Sequence, residues 1–116
     1  MNHEKAIYWV GSSLKDLLAL PDEVRREAGY QLHRVQNGLA PENWRPFQSV
    51  GAGVQEIRIS EGNGIYRVMY VAKFAHKIYV LHAFQKKTQK TSSKDIQITK
   101  ARYSAIVNQE KPWLIA

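Results

Sequence analysis

Three strand-like segments of this sequence each carry one cationic or titratable side chain among apolar neighbours. The segments are 54–59, 65–72 and 77–84, and the three side chains are those of Arg58, Arg67 and His82. Arginine binds phosphate oxygens through two parallel N–H groups, and histidine can carry a proton near neutral pH. Groups of this kind on neighbouring strands predict a site for phosphate chemistry.

The faces on which these groups lie follow from the alternation of side chains along a strand. Arg58 is predicted to share a face with Val54 and Glu56, Arg67 with Ile65, Met69 and Val71, and His82 with Ile78, Val80 and Phe84. The turn residues at 61–64, Glu-Gly-Asn-Gly, predict a hairpin that brings Arg58 close to Arg67. The last strand leads directly into Lys86 and Lys87, whose ammonium groups would add point charges to the same phosphate site.

The net charge of +7 is concentrated in one segment of the chain. Residues 1–72 contain eight Lys or Arg and eight Asp or Glu, whereas residues 73–102 contain eight bases and one acid, Asp95. A localised positive field attracts polyanions, of which nucleic acids are the usual example. The predicted nucleic-acid contacts are Lys73, Lys77, Thr88, Gln89, Lys90 and Lys94. A solvated basic face that serves solubility is the alternative interpretation.

Each candidate group also has a purely structural interpretation. Arg67 can form a salt bridge with Glu56, a lysine run after a strand can simply be solvated, and His82 can be a hydrogen-bonded core histidine. The four histidines have no metal-ligand spacing and the chain has no cysteine, so we expect neither a zinc site nor a disulfide. The sequence has no glycine-rich phosphate loop, and no cofactor is expected.

The hydrophobic pattern predicts an α+β fold with the element order β-α-α-β-β-β-α. Residues 6–10 form an apolar strand, a first helix begins near Ser13, and a second helix carries an apolar stripe. The stripe consists of Val24, Ala28, Leu32, Val35 and Leu39. Residues 40–53 contain two prolines and two glycines and are predicted to be a loop. The consecutive hairpins that follow predict an antiparallel sheet with helices packed on one face.

The last helix is predicted to begin at a cap formed by Ser92 or Ser93 together with Asp95. Its predicted packing face consists of Ile98, Ala101 and Ala105. The remaining residues, 109–116, are predicted to be a C-terminal tail, and the length fits one domain over residues 1–116. No apolar segment reaches the roughly 20 residues of a membrane span, so a soluble cytoplasmic protein without a membrane partner is expected.

Four blocks of the sequence resemble the RelE/ParE toxin superfamily, and within it the HigB-like, phage-derived branch. The blocks are GVQEIRIS (53–60), YRVMYVA (66–72), IYVLHAFQKKTQKTSSKDI (78–96) and KARY (100–103). The resemblance extends over about residues 5–106 and implies a RelE-like antiparallel sheet flanked by helices. It also implies the toxin of a type II toxin–antitoxin pair, which cleaves mRNA in the decoding site of the ribosome.

The resemblance implies roles for individual residues. The strand arginines of the family match Arg67 and Arg58, and the basic pair after the last strand matches Lys86 and Lys87. The working hypothesis is a metal-independent transesterification, in which Arg67 stabilises charge on the phosphate with help from Arg58. The proton-transfer role stays open among Lys86, Lys87 and His82. It stays open because the Asp–Tyr–His cluster of certain HigB proteins is missing from this sequence.

The resemblance further implies partners, namely the ribosome with its mRNA and an antitoxin, expected to be a helix-turn-helix protein encoded next door. Two other functions remain open. ParE relatives share the fold but poison DNA gyrase, and a basic domain of this size could bind RNA without cleaving it. The LHAFQKKTQ block (81–89) favours the HigB side.

Overall fold

The computed structural model of the chain describes residues 4–111, which form five strands and three helices. The strands are β1 (Ala6–Trp9), β2 (Trp44–Pro46), β3 (Val54–Glu61), β4 (Gly64–Val71) and β5 (Lys77–Gln85). The helices are α1 (Ser13–Leu18), α2 (Asp22–Gln36) and α3 (Ser93–Glu110). The predicted element order is confirmed, with β2 as an additional short strand inside the segment 40–53 that the composition predicts to be a loop.

The strands form one sheet in the order β1-β5-β4-β3-β2. The two consecutive hairpins make β3, β4 and β5 antiparallel, and β2 continues this pattern at one edge. At the other edge β1 pairs with β5 in parallel, over four residues. The α+β class is therefore confirmed, and the predicted antiparallel sheet carries one short parallel pair at its border.

The register between β3 and β4 places Arg58 directly opposite Arg67, as the predicted hairpin requires. The turn between these strands depends on Gly62, whose φ of 57° lies in the left-handed region that glycine adopts without strain. Arg67 pairs in turn with Phe84 of β5. The two arginines and the end of β5 therefore lie side by side on one face of the sheet.

A β-bulge in β5 changes the face of two residues. The ladder between β4 and β5 skips Leu81, which is an extra residue in β5. His82 and Phe84 keep the face of the strand arginines, whereas Ile78 and Val80 are moved to the opposite face. The prediction that all four share a face is therefore wrong for Ile78 and Val80, because the bulge reverses the alternation at that point.

Helices α1 and α2 pack on one face of the sheet, as predicted. Leu17 of α1 and the apolar stripe of α2 join strand residues in one hydrophobic cluster. The buried members of the stripe are Val24, Ala28, Leu32 and Val35. Leu39 lies beyond the end of α2 and is 53% exposed, so the stripe is one residue shorter than its spacing predicts.

Helix α3 contacts a second hydrophobic cluster, formed by strand residues that alternate with those of the first. The buried residues of α3 are Thr99 and Ile106, whereas Ala101 and Ala105 are exposed. The predicted packing face of Ile98, Ala101 and Ala105 is therefore wrong. The buried face escapes a search for apolar spacing because it includes a threonine, whose hydroxyl donates to a backbone carbonyl one turn earlier at 2.8 Å.

The start of α3 is confirmed, because the Oγ of Ser92 accepts a hydrogen bond from the backbone N–H of Asp95 at 3.1 Å. The helix continues to Glu110, so the predicted tail, 109–116, begins inside it, and residues 112–116 lie outside the described part of the chain. None of the helices described between residues 4 and 111 is long and apolar enough to cross a bilayer.

Candidate functional site

An open cleft of about 910 Å³ is bordered by the four strands β2 to β5 and the loop after β5. Its lining residues are Arg45, Arg58, Asn63, Ile65, Arg67, Gln85, Lys86, Lys87, Thr88 and Gln89. Five of these ten side chains are cationic and none of the ten is acidic. A concave surface lined by one sign of charge concentrates counter-ions, and the cleft is therefore suited to a polyanion.

Arg67 lies at the back of the cleft on a central strand, and its side chain is only 4% exposed. Its Nη1 donates a hydrogen bond to the carbonyl oxygen of Tyr66 at 2.9 Å. Its Nε lies 3.6 Å from Oε1 of Glu56, whose side chain is also 4% exposed. Because an unpaired buried charge is costly, loss of either partner would destabilise the sheet, and Arg67 in addition lines the cleft.

One carboxylate faces both strand arginines, since the Nε of Arg58 lies 4.0 Å from the same Oε1 of Glu56. The second oxygen of Glu56 and the Nε atoms of Arg58 and Arg67 are buried and have no hydrogen-bond partner within residues 4–111. Buried polar atoms are normally paired. The cluster nevertheless keeps an excess of positive charge, since two guanidinium groups face one carboxylate, and this excess favours an anion in the cleft.

Burial and neighbouring charges shift two pKa values in the cleft. Burial lowers the pKa of Arg67, and Glu56 opposes this effect, while Arg58 and Arg45 lower the pKa further. The guanidinium nevertheless stays charged, as arginine does in proteins. Burial also lowers the pKa of Lys86, and repulsion from Arg67 adds to the decrease. Lys86 therefore becomes a free amine closer to neutral pH than an exposed lysine does.

His82 lies behind the cleft and is not one of its lining residues. Its Nε2 lies 2.7 Å from Oδ1 of Asp95, and its Nδ1 lies 3.7 Å from Oδ2 of Asp16. The ring stacks on Phe84 with 4.8 Å between the ring centroids. Both ring nitrogens therefore face carboxylates of helices, and the structure does not bring His82 to the position of a proton carrier that touches substrate.

Lys73 and Lys77, predicted to contact nucleic acid, lie at the opposite end of β5 from the cleft. The Nζ of Lys73 donates a hydrogen bond to the hydroxyl of Tyr103 at 3.0 Å. The Nζ of Lys77 donates to Oε2 of Glu110 at 2.8 Å. The structure does not bring these two lysines together with the other candidates, and both ammonium groups already have partners.

The loop after β5 contributes unequally to the cleft. Lys87, Thr88 and Gln89 line it, whereas Lys90 and Lys94 do not. The Oγ1 of Thr88 donates to the carbonyl oxygen of Lys90 at 2.5 Å, which folds the loop back on itself. The basic segment is therefore divided into a part that lines the cleft and a part that does not.

Arg45 is the cationic cleft residue that the sequence pattern missed. It lies on β2, directly opposite Glu56 of β3. A strand of three residues in a segment rich in proline and glycine is too short for alternation to reveal it. Asn63 in the hairpin turn and Gln85 at the end of β5 also line the cleft without having been predicted. Their positions in the sequence could have indicated them, because Asn63 lies in the turn before Arg67 and Gln85 directly precedes Lys86.

Within residues 4–111, no group of three or more acidic or histidine side chains is arranged to hold a metal ion.

A comparison with protein families matches residues 15–104 to the family described as phage-derived protein Gp49-like (DUF891). A comparison with curated proteins finds no match. The family match covers most of the chain and includes every residue that lines the cleft. The chain therefore belongs to the phage-derived Gp49-like family, a toxin-like family of the RelE/HigB type.

Proposed function

We propose that this chain is the toxin of a type II toxin–antitoxin pair and a ribosome-dependent mRNA endoribonuclease. The observation that supports this function best is the placement of Arg58, Arg67 and Lys86 around one cationic cleft, with Glu56 buried behind the arginines. Membership of a toxin-like family agrees with it. The cognate antitoxin, a helix-turn-helix protein encoded next door, would neutralise the cleft with acidic side chains.

In the proposed reaction a ribose 2′-hydroxyl attacks the adjacent phosphate, the bond to the 5′-oxygen breaks, and a cyclic phosphate and a 5′-hydroxyl are formed. The departing 5′-oxygen takes its proton from solvent in the open cleft. Negative charge builds up on the phosphoryl oxygens in the transition state. Arg67 and Arg58 lie on rigid neighbouring strands, so their N–H groups can be oriented before the reaction begins. The contact of both with Glu56 restricts their side chains, which favours this preorganisation.

Lys86 is the proposed proton acceptor for the attacking hydroxyl. It lines the cleft, and its pKa is lowered by burial and by Arg67, whereas an unperturbed lysine is a poor base at neutral pH. Lys87 also lines the cleft and is exposed, which suits a charge contact with the RNA backbone. His82 is not in contact with the cleft and receives no proton-transfer role.

The pH dependence of cleavage tests the role of Lys86. Because the free amine is the active form, the single-turnover rate should rise with pH and level off above the pKa of Lys86, which lies below the ordinary lysine value. Lys86→Ala should remove this rise, whereas Lys87→Ala should keep it. A rate profile that keeps the same shape in Lys86→Ala would exclude Lys86 as the base.

Primer extension on mRNA tests the proposed function itself. RNA from cells that express the chain should show new 5′ ends within translated reading frames, and purified ribosome–mRNA complexes should be cut by the pure protein. Naked RNA should be cut poorly, because contacts to phosphate carry little sequence information and, without the ribosome, no single bond is held in line for attack. Efficient cleavage of naked RNA at every codon would contradict the dependence on the ribosome.

The same expression experiment distinguishes the gyrase-inhibitor alternative. A ParE-like toxin would trigger DNA-damage signalling while leaving mRNA intact, whereas the proposed ribonuclease stops translation first. Stable binding of RNA without new 5′ ends would instead indicate a binding module. Either result would overturn the endoribonuclease assignment.

A further inference from the structure

The loop between β5 and α3 carries four of the ten residues that line the cleft: Lys86, Lys87, Thr88 and Gln89. One side-chain contact closes this loop, because Nε2 of His82 lies 2.7 Å from Oδ1 of Asp95. His82 precedes the loop on β5 and Asp95 follows it in the first turn of α3. The contact therefore joins the two ends of the segment that supplies the lysines of the cleft.

The imidazole of His82 is fixed from several sides. The residue is 5% exposed and its ring stacks on Phe84. Its Nδ1 faces Asp16 of α1 at 3.7 Å and has no hydrogen-bond partner within residues 4–111. The guanidinium of Arg102 lies 3.5 Å from the same Asp16 oxygen and donates to the carbonyl oxygen of Leu81 at 2.8 Å. The ring therefore has little freedom to leave Asp95.

Asp95 is held as firmly on the other side of the contact. Its Oδ2 accepts a hydrogen bond from the Oγ of Ser92 at 2.7 Å, and its backbone N–H donates to that same Oγ. These bonds form the N-terminal cap of α3. The carboxylate that meets His82 is thus tied to the last residue of the loop, and a change at His82 reaches the loop through Asp95.

We propose that His82 is a positioning residue, whose bond to Asp95 holds the loop at 86–92 in place so that Lys86 and Lys87 face the cleft. This inference rests on the proposed function. It gives a positioning role to His82, which has no role in the proposed proton transfers. Closing a loop reduces the entropy that must be lost when its residues bind a substrate. Without the bond, the lysines remain in the chain but lose their orientation toward the phosphate.

Two isosteric variants test this role. The amide nitrogen of glutamine lies close to the position of Nε2, and that of asparagine lies close to Nδ1. His82→Gln can therefore still donate to Asp95, whereas His82→Asn can donate only toward Asp16. We expect His82→Asn to lower mRNA cleavage about tenfold, a typical coupling between contacting residues, and His82→Gln to restore most of the rate.

Asp95→Ala should reproduce the loss seen in His82→Asn, and the double variant should lose no more than either single one. Asp22→Asn is the matched control, because Asp22 is exposed on α2 and contacts neither the ring nor the loop, so this change should leave the rate near that of the parent. Equal rates for His82→Asn and the parent would overturn the proposal. Equal losses in His82→Asn and His82→Gln would also overturn it, because they would indicate a general effect on folding.

Amide hydrogen exchange gives a readout that does not depend on catalysis. In His82→Asn the hydrogen-bonded backbone amides at the two ends of the loop, those of Lys86, Asp95 and Ile96, should exchange about tenfold faster than in the parent, while those of β3 and β4 keep their protection. Unchanged exchange in the loop would overturn the positioning role, even if the parent protein cleaves mRNA. If the parent protein cuts no mRNA but His82→Asn shows the predicted faster exchange, the proposed function is overturned, whereas the role of His82 in holding the loop is retained.

Discussion

Replacing Arg67 with alanine is expected to lower the rate of mRNA cleavage by about 10²–10³, the usual cost of removing one preorganised donor from a transition state. Arg67 lies in the middle of β4, opposite Arg58, and lines the cleft from a rigid position. A neighbouring arginine cannot replace it, because the direction of its N–H groups is set by its own strand. The measurement is the single-turnover rate on ribosome-bound mRNA.

A loss of stability must be separated from this loss of rate. Among the described residues, Arg67→Ala leaves the buried Glu56 with Arg58 as the one remaining cation within 4.0 Å, so the melting temperature should fall as well. The double variant Arg67→Ala/Glu56→Gln removes the unpaired carboxylate and should recover part of the stability without recovering cleavage. Recovery of cleavage together with stability would show that Arg67 has only a structural role.

Arg67→Lys provides a second comparison. Lysine keeps the positive charge toward Glu56 but lacks the planar set of donors that matches two phosphate oxygens. We expect a smaller loss of stability than in Arg67→Ala and a loss of cleavage that remains well beyond tenfold. Cleavage by Arg67→Lys at close to the parent rate would contradict a role that depends on the geometry of the guanidinium.

The pairing of Arg58 with Arg67 could be predicted from the sequence because two local signals agree. Alternation assigns each arginine to a face of its strand, and the turn at 61–64 fixes which residues of β3 and β4 lie opposite each other. Neither signal depends on residues far away in the chain. The centre of the cleft is therefore predictable from local sequence alone.

The edges of the cleft were not predictable in the same way. The bulge at Leu81 depends on how β5 pairs with β4, and no residue type in LHAFQ marks it. Arg45 reaches the cleft through the pairing of a three-residue strand with β3, a contact that only the folded sheet creates. For short or bulged strands, the alternation of side chains therefore predicts the wrong face of the sheet or no face at all.

The distribution of charge along the sequence indicates the basic segment but not the side chains that its lysines contact in the fold. Glu110 is about thirty residues from Lys77 in sequence, yet its carboxylate lies 2.8 Å from the Lys77 ammonium. Lys86 has cationic neighbours instead, and its pKa is lowered by burial and by Arg67. The functional difference between Lys77 and Lys86 thus depends on tertiary contacts, about which the net charge of +7 gives no information.

Glu56→Gln is expected to lower the free energy of unfolding by about 3–5 kcal/mol, the usual cost of removing one partner from a buried ion pair. Its side chain is 4% exposed and lies near the guanidinium groups of both Arg67 and Arg58. Without the carboxylate the buried guanidinium of Arg67 is left beside a second cation, Arg58. Since a domain of this size is stable by about 5–15 kcal/mol, the loss should be visible in both thermal and urea unfolding.

Glu61→Gln is the matched control for this variant, because Glu61 lies on the same strand and is exposed. It should change the unfolding free energy by no more than about 0.5 kcal/mol. Glu56→Gln should also lower the unfolding free energy less in the Arg67→Ala variant than in the parent. The two residues belong to one cluster, so their effects are not additive. If Glu56→Gln unfolds at the same urea concentration as the parent, the two arginines do not need the carboxylate. Their preorganisation would then have to come from the strands alone.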